Sequence, residues 1–156
     1  MYKIVHTAKC AEIANRFAEA LEGSQTFEIS QVLEDPQSLD DFDCLGLIFD
    51  RQEKGVPSDV VSFINDVLGN NDLSELQHMF GICVCEGSPA HALKIVEKLC
   101  AGVGCAPSLS ISLSPSADIS DAIEKIQNGD IELAKGSIGT MFYMKSQGIK
   151  AKGKRR

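Results

Sequence analysis

The sequence lacks the patterns that mark several classes of protein. No apolar run approaches the roughly 20 residues that a membrane-spanning helix needs. The N-terminus shows no charged-then-apolar signal segment, so we expect a cytoplasmic protein without a transmembrane segment. There is also no internal repeat and no low-complexity linker. A chain of 156 residues with these properties predicts a single globular domain.

Cysteine and histidine do not form a metal-binding pattern. None of the six cysteines has a partner at C-x-x-C spacing, and the three histidines (His6, His78 and His91) are scattered along the chain. Because zinc sites need clustered thiolates and imidazoles, we predict no metal ligands. In a cytoplasmic chain most buried cysteines are small apolar fillers.

Charge is distributed unevenly along the chain. Residues 1–149 carry ten basic and 22 acidic side chains, whereas the last seven residues carry five basic ones. We interpret 1–149 as the folded domain and 150–156 as a basic C-terminal tail that we expect to be disordered. An acidic domain repels nucleic acid and favours protein partners with a basic surface. The oligomeric state stays open.

Short apolar runs alternate with segments of helical periodicity, which favours βαβ units and a parallel sheet. Strands are predicted at 3–7, 27–32, 44–49, 79–85 and 108–113. Helices are predicted at 10–22, 57–69, 89–102 and 119–127, with a short helical turn at 36–41. Residues 130–149 have the least clear pattern, although Met141, Phe142, Tyr143 and Met144 are apolar enough to pack on the domain.

The polarity of the strands predicts their order. Runs 44–49 and 79–85 are continuously apolar and therefore central, whereas 26–30 and 108–113 alternate and are therefore edges. With right-handed crossovers, the order 2-1-3-4-5 satisfies both conditions. Such a sheet has a switch point beside strand 1, where ligands bind at the carboxyl ends of the strands.

Three loops at those strand ends carry a family resemblance. The first loop consists of His6, Thr7, Ala8, Lys9 and Cys10. It resembles the phosphate loop of the flavodoxin-like family, usually Thr-Gly-Asn-Thr before a helix. Backbone N–H groups and the helix dipole bind phosphate in such a loop, and Lys9 adds positive charge.

The second and third loops resemble the loops that flank a flavin ring in the same family. The second comprises Phe49, Asp50, Arg51 and Gln52 and runs towards a Gly-x-Pro helix start. The third comprises Cys85, Glu86, Gly87 and Ser88 and precedes a helix that opens with proline.

The resemblance covers residues 1 to about 127 and implies a flavodoxin-like three-layer α/β/α sandwich. It implies FMN as cofactor, with the first loop on the phosphate and the other two beside the ring. The expected function is electron transfer to or from a protein partner or a small acceptor. The protein would then be an electron carrier or a small FMN-dependent oxidoreductase, and no catalytic side chain is assigned.

Departures from the family pattern leave two alternatives open. Ala8 replaces the favoured glycine, Cys10 replaces the second hydroxyl, and the second loop has no tryptophan or tyrosine. The first alternative is a flavodoxin-like protein-interaction module that no longer binds FMN. The second is thiol redox chemistry at Cys10, which stands beside Lys9 at a helix N-terminus, a setting that lowers a thiol pKa.

Overall fold

A five-stranded parallel sheet forms the centre of the domain. The computed structural model describes residues 2–39, 42–135 and 138–152. The strands are β1 (Tyr2–His6), β2 (Gln25–Glu28), β3 (Cys44–Asp50), β4 (His78–Val84) and β5 (Leu109–Leu113). They pair in the order β2-β1-β3-β4-β5, all in parallel, which confirms the predicted sheet.

Helices cover both faces of this sheet. They are α1 (Ala11–Ala20), α2 (Ile29–Glu34), α3 (Ser58–Ser62), α4 (Ala92–Val103), α5 (Ser120–Asn128) and α6 (Ile138–Ser146). After α3 the chain continues helically, first as a π-helix over Phe63–Val67 and then as a 3-10 turn over Leu68–Asn70. None of the helices in the described ranges is both long enough and apolar enough to cross a membrane.

Alternate residues of the central strands fill two separate cores. Leu47 of β3 packs in the core that α2, α3 and α4 cover, whereas its neighbour Ile48 packs in the core beneath α1 and α5. This alternation follows from the two-residue period of a strand. Because both faces of β3 and β4 are buried, the apolar run in each is nearly continuous. The three-layer α/β/α prediction is confirmed.

Gly46 of β3 leaves space for an aromatic side chain of the next strand. A Cβ atom at this position would lie 2.2 Å from Cζ of Phe80. Phe80 in turn stacks on Phe17 of α1, with ring centroids 6.1 Å apart. The glycine therefore allows two phenylalanines to fill the core under α1.

Several predicted boundaries are wrong, and two of the differences have a clear physical reason. The second strand was expected at 27–32, but β2 ends at Glu28 and α2 starts at Ile29. Ile29 and Val32 stand three residues apart and are both fully buried, which is helical spacing. The helix predicted at 89–102 runs instead from Ala92 to Val103, and Gly104, with a φ of 91° and a left-handed conformation, is its C-cap.

Residues 130–149, whose pattern was least clear, contain two ordered features. Glu132 pairs with β5 in parallel: its N–H donates to Ser108 O at 2.9 Å, and its carbonyl accepts from Ser110 N at 2.7 Å. Helix α6 then packs on α4, where Nδ1 of His91 lies 2.9 Å from the buried Thr140 Oγ1.

The described part of the predicted tail contacts the domain. Asn65 Nδ2 donates to Lys150 O at 3.1 Å, and Lys152 Nζ donates to Asn65 O at 3.4 Å. Residues 153–156 lie outside the described residues. The turn predicted at 36–41 contains a 3-10 helix at Pro36–Ser38, and residues 40–41 likewise lie outside the described part.

Candidate functional site at the strand ends

The three predicted loops meet at the carboxyl ends of neighbouring strands. The strands that precede them, β1, β3 and β4, are direct neighbours. Pairing continues into the loops, because Thr7 N donates to Ile48 O at 3.1 Å and Arg51 N donates to Val84 O at 3.3 Å. The structure therefore brings the predicted site residues together, whatever they bind.

The first loop is a short turn that leads directly into α1. Residues Ala8–Cys10 form one 3-10 turn, in which Ala8 and Lys9 are exposed. His6 is buried, and its Nδ1–H donates to Thr7 O at 2.7 Å. The exposed backbone of this turn is the part of the loop that an anion can reach.

Cys10 is a buried thiol rather than a reactive one. It is 1% exposed, and burial raises its pKa to about 11. A hydrogen bond with Thr7 lowers this pKa and the carboxylate of Asp50 raises it, but both effects are smaller than that of burial. Because the thiolate is the reactive form, this environment argues against thiol redox chemistry at Cys10.

A carboxylate lies against the hydroxyl of the first loop. Thr7 Oγ1 donates to Asp50 Oδ1 at 2.7 Å, and this bond joins the end of β1 to the end of β3. Thr7 is buried, so its single hydroxyl proton is already committed to Asp50. An anion at this loop would meet a carboxylate instead of a free hydroxyl donor.

Asp59 is close enough to Asp50 and Glu28 for both carboxylates to affect its pKa, and the sequence did not predict Asp59 or Glu28 as site residues. Asp59 is in the first turn of α3, and burial raises its pKa, with smaller contributions from Asp50 and Glu28 in the same direction. Oδ1 of Asp59 is buried and has no hydrogen-bond partner among the described residues. These three residues, the acidic edge, come from β2, β3 and α3, so only the fold reveals that they are neighbours.

An arginine ties the second loop to the third. Arg51 Nη1 donates to Ser88 O at 2.6 Å, and this contact spans the gap between the two loops. Gln52 and Gly55 exchange two backbone hydrogen bonds, of 3.0 and 2.9 Å, around a turn in which Glu53 has a φ of 51°. The second loop is therefore a tight hairpin joined to its neighbour by a side chain.

The third loop is open on its outer side. Gly87 has a φ of 77°, and a Cβ atom there would meet nothing within 4 Å. Glu86 and Ser88 are exposed, whereas Cys85 is buried and its thiol contacts Gly87 O at 3.6 Å. Because the backbone at residue 87 is left-handed, glycine is favoured there whether or not a ligand binds.

These side chains do not fit FMN. A flavin phosphate would have to sit beside the Asp50 carboxylate, which already takes the hydroxyl proton of Thr7. The only aromatic residue of the three loops outside the histidine ring is Phe49, and it is fully buried in the core of the domain. The predicted loops therefore offer neither a phosphate site free of negative charge nor an exposed aromatic ring on which a flavin could stack.

No protein-family model and no curated protein matches this sequence. Among solved structures, the rubredoxin oxygen:oxidoreductase of the anaerobe Desulfovibrio gigas is similar in fold. Its TM-score is 0.59 at 10% sequence identity, and the match covers 81% of this chain and 33% of that chain. The chain thus spans about a third of the length of its structural neighbour. At this identity the likeness shows the fold alone, a flavodoxin-like α/β domain.

Proposed function

We propose that this flavodoxin-like domain is a protein-interaction module whose strand-end loops contact a protein partner and do not bind FMN. The observation that carries this proposal is the hydrogen bond from Thr7 to Asp50. It uses up the hydroxyl donor of the first loop and sets a carboxylate beside the turn where a phosphate would bind.

Electrostatic repulsion supports the loss of the phosphate site. Two unit charges 4 Å apart repel by about 4 kcal/mol at the effective dielectric constant of a protein surface. A phosphate at this turn would therefore be repelled by the Asp50 carboxylate, against the attraction from the backbone N–H groups and from Lys9.

The same acidic edge suits a partner with basic side chains. Charge complementarity speeds association and selects partners more than it adds affinity. The exposed Glu86 and Gln52 extend this polar surface towards solvent. A partner with lysine or arginine at its docking surface would be attracted by the negative charge of this edge.

The test is to titrate the purified protein with FMN and with riboflavin, following flavin fluorescence and the visible spectrum. We expect the wild-type protein to be colourless and to leave both fluorescence signals unchanged. Asp50→Ser, which replaces the carboxylate by a hydroxyl, should gain at least tenfold in affinity for FMN but not for riboflavin, since only FMN carries the phosphate. Asp121→Ser, on the exposed face of α5, is the matched control.

Micromolar or tighter binding of FMN by the wild-type protein would contradict the proposal. It would favour the second candidate, an FMN-dependent electron carrier or small oxidoreductase. One observation favours that candidate: the loops lie at the switch point beside β1, where this fold places its ligands. The exposed turn at Ala8 and Lys9 and the open space around Gly87 would then be the parts in contact with the cofactor.

A further inference from the structure

The largest exposed apolar side chains of the described residues lie in one short stretch of sequence. Ile131, Leu133, Met141 and Phe142 are 76%, 58%, 63% and 68% exposed. Single exposed apolar residues are ordinary, but a group of them marks an interaction surface. Two different structural features present these four side chains.

The first feature is an open groove along α6. Its volume is about 610 Å³, and we call it the basic groove. Its apolar surface comes mainly from Met141, Phe142 and Ile149, and its charged groups are Lys98, Lys145 and Lys150. No carboxylate is among its lining residues in the described part of the chain.

Charge in this part of the chain is opposite to that of the rest. Residues 133–156 contain seven of the 15 lysines and arginines and none of the 22 acidic residues. The basic groove is therefore a cationic, apolar site on a domain that is otherwise acidic. Its occupant should combine apolar side chains with carboxylates.

The second feature has this combination. Residues 130–133, the acidic segment, consist of Asp130, Ile131, Glu132 and Leu133 and are all exposed. Since extended side chains alternate, Ile131 and Leu133 fall on one side and Glu132 on the other, where it forms a 3.2 Å ion pair with Lys125. Asp130 lies in the turn after α5, where its N–H donates to Lys125 O. The segment therefore offers two apolar anchors and the exposed carboxylate of Asp130.

The acidic segment is held in place before any partner arrives. Glu132 is bonded through its backbone to β5, and Ala134 N donates to Glu97 Oε2 at 2.6 Å. A segment ordered in advance loses little conformational entropy on binding. It is therefore suited to dock as a rigid element.

Helix α4 touches both features. Glu97, which bonds the chain just after the acidic segment, is followed on α4 by Lys98, which borders the basic groove. Two copies of a chain that carries complementary features can exchange them about a twofold axis. Twofold dimers of this kind are the commonest symmetric assemblies.

We propose that the chain forms a homodimer in which the acidic segment of each copy docks in the basic groove of the other. The apolar side chains Ile131 and Leu133 contact Met141 and Phe142, while Asp130 faces the lysines of the groove. The interface is separate from the strand-end loops, so it does not depend on whether FMN binds.

The first measurement is the mass of the full chain in solution, by sedimentation equilibrium from micromolar to submillimolar concentration. We expect a dimer that weakens as salt rises, because its charge pairs are screened. Phe142→Ser removes a central apolar contact and should weaken the dimer at least tenfold. Far-ultraviolet circular dichroism checks that this exposed substitution leaves the fold intact.

A charge reversal identifies the partners across the interface. Asp130→Lys and Lys145→Glu should each weaken the dimer, and the double variant should regain most of the lost affinity because the pair is restored in reverse. Glu19→Lys, on the exposed face of α1, has the same change in charge as Asp130→Lys and should leave the dimer unaffected.

Three results would overturn the proposal. One is a wild-type protein that stays monomeric at submillimolar concentration and low salt. Another is a dimer that Phe142→Ser leaves unchanged, which would place the interface elsewhere. The third is a monomer that co-sediments with phosphatidylserine vesicles and loses this binding in Phe142→Ser, since the basic groove would then contact an anionic membrane.

Discussion

The side chains of the strand-end loops and those of the C-terminal face around α6 make opposite kinds of contact. At the strand ends, polar groups bond to one another, as Thr7 does to Asp50 and Arg51 does to Ser88. Around α6, apolar groups such as Phe142 face solvent. The strand ends, where this fold usually carries a ligand, are thus polar and cross-linked by hydrogen bonds, whereas the exposed apolar surface lies elsewhere.

The two regions are nevertheless joined by one aromatic residue. Tyr143 of α6 stacks on His91, with ring centroids 5.1 Å apart. Its ring also lies against Gly55, where a Cβ atom would be 2.7 Å from Tyr143 Cε2. Because His91 N donates to Lys54 O at 2.9 Å, helix α6 and the hairpin after β3 share one contact cluster.

The largest effect on stability should appear when the packed Tyr143 and the exposed Phe142 of α6 are each replaced by alanine and compared. Tyr143→Ala should lower the free energy of unfolding by about 2–3 kcal/mol, because it empties the space beside Gly55 and His91. Phe142→Ala should change it by less than about 0.5 kcal/mol in the monomer, because that ring is exposed. Urea unfolding at low protein concentration measures both, and equal effects would refute the contrast.

A smaller effect on stability should come from replacing Gly55, the glycine that the Tyr143 ring contacts. Gly55→Ala should cost about 1–2 kcal/mol, because the new methyl group displaces the Tyr143 ring. Gly81→Ala in β4 is the matched control, since its Cβ atom would meet only Val96 Cγ1, at 4.0 Å. In a Tyr143→Ala background the cost of Gly55→Ala should disappear, and a double-mutant cycle that shows simple additivity would exclude the coupling.

The smallest effects should be pH-dependent and of opposite sign at two aspartates. Burial raises the pKa of Asp59 above its ordinary value of 3.8, so the folded state binds the proton more tightly than the unfolded state. Stability therefore falls as pH rises through that raised pKa, and Asp59→Asn should stabilise the protein at neutral pH but not in acid.

Asp118 provides the opposite case. Hydrogen bonds from the side chain and backbone of Ser120 lower its pKa below 3.8. The contribution of Asp118 to stability is present above pH 3.8 and is lost as the pH falls through the lowered pKa. Asp118→Asn should therefore destabilise the protein at neutral pH. Thermal unfolding from pH 3 to 7 compares the two variants. Shifts of the same sign at neutral pH would contradict one of the two assignments, and the sign itself would show which.

Much of the fold could be predicted because its signals are local. The buried runs of β3 and β4 are apolar on both faces, and the right-handed crossover rule then leaves few strand orders. The boundary between β2 and α2 could not be predicted in the same way. Ile29 and Val32 are apolar in a strand or in a helix, and packing against the rest of the core decides between the two.

The site was predictable in position but not in chemistry. Loops that follow β1, β3 and β4 must meet at one edge once the strand order is known. The bond from Thr7 to Asp50 joins residues 43 positions apart and depends on the registers of two strands. Asp59 and Glu28 carry no motif, so only the three-dimensional arrangement shows that they make this edge acidic.

The contact between Gly46 and the Phe80 ring also constrains how the sequence can change over time. A side chain at position 46 needs the space that the ring now occupies, 2.2 Å from where its Cβ atom would be. Neither position is therefore free to vary alone: a larger residue at 46 requires a smaller one at 80. In descendants of this chain the two positions should covary. A substitution at either position alone should be removed by selection, whereas a matched pair of substitutions should be retained.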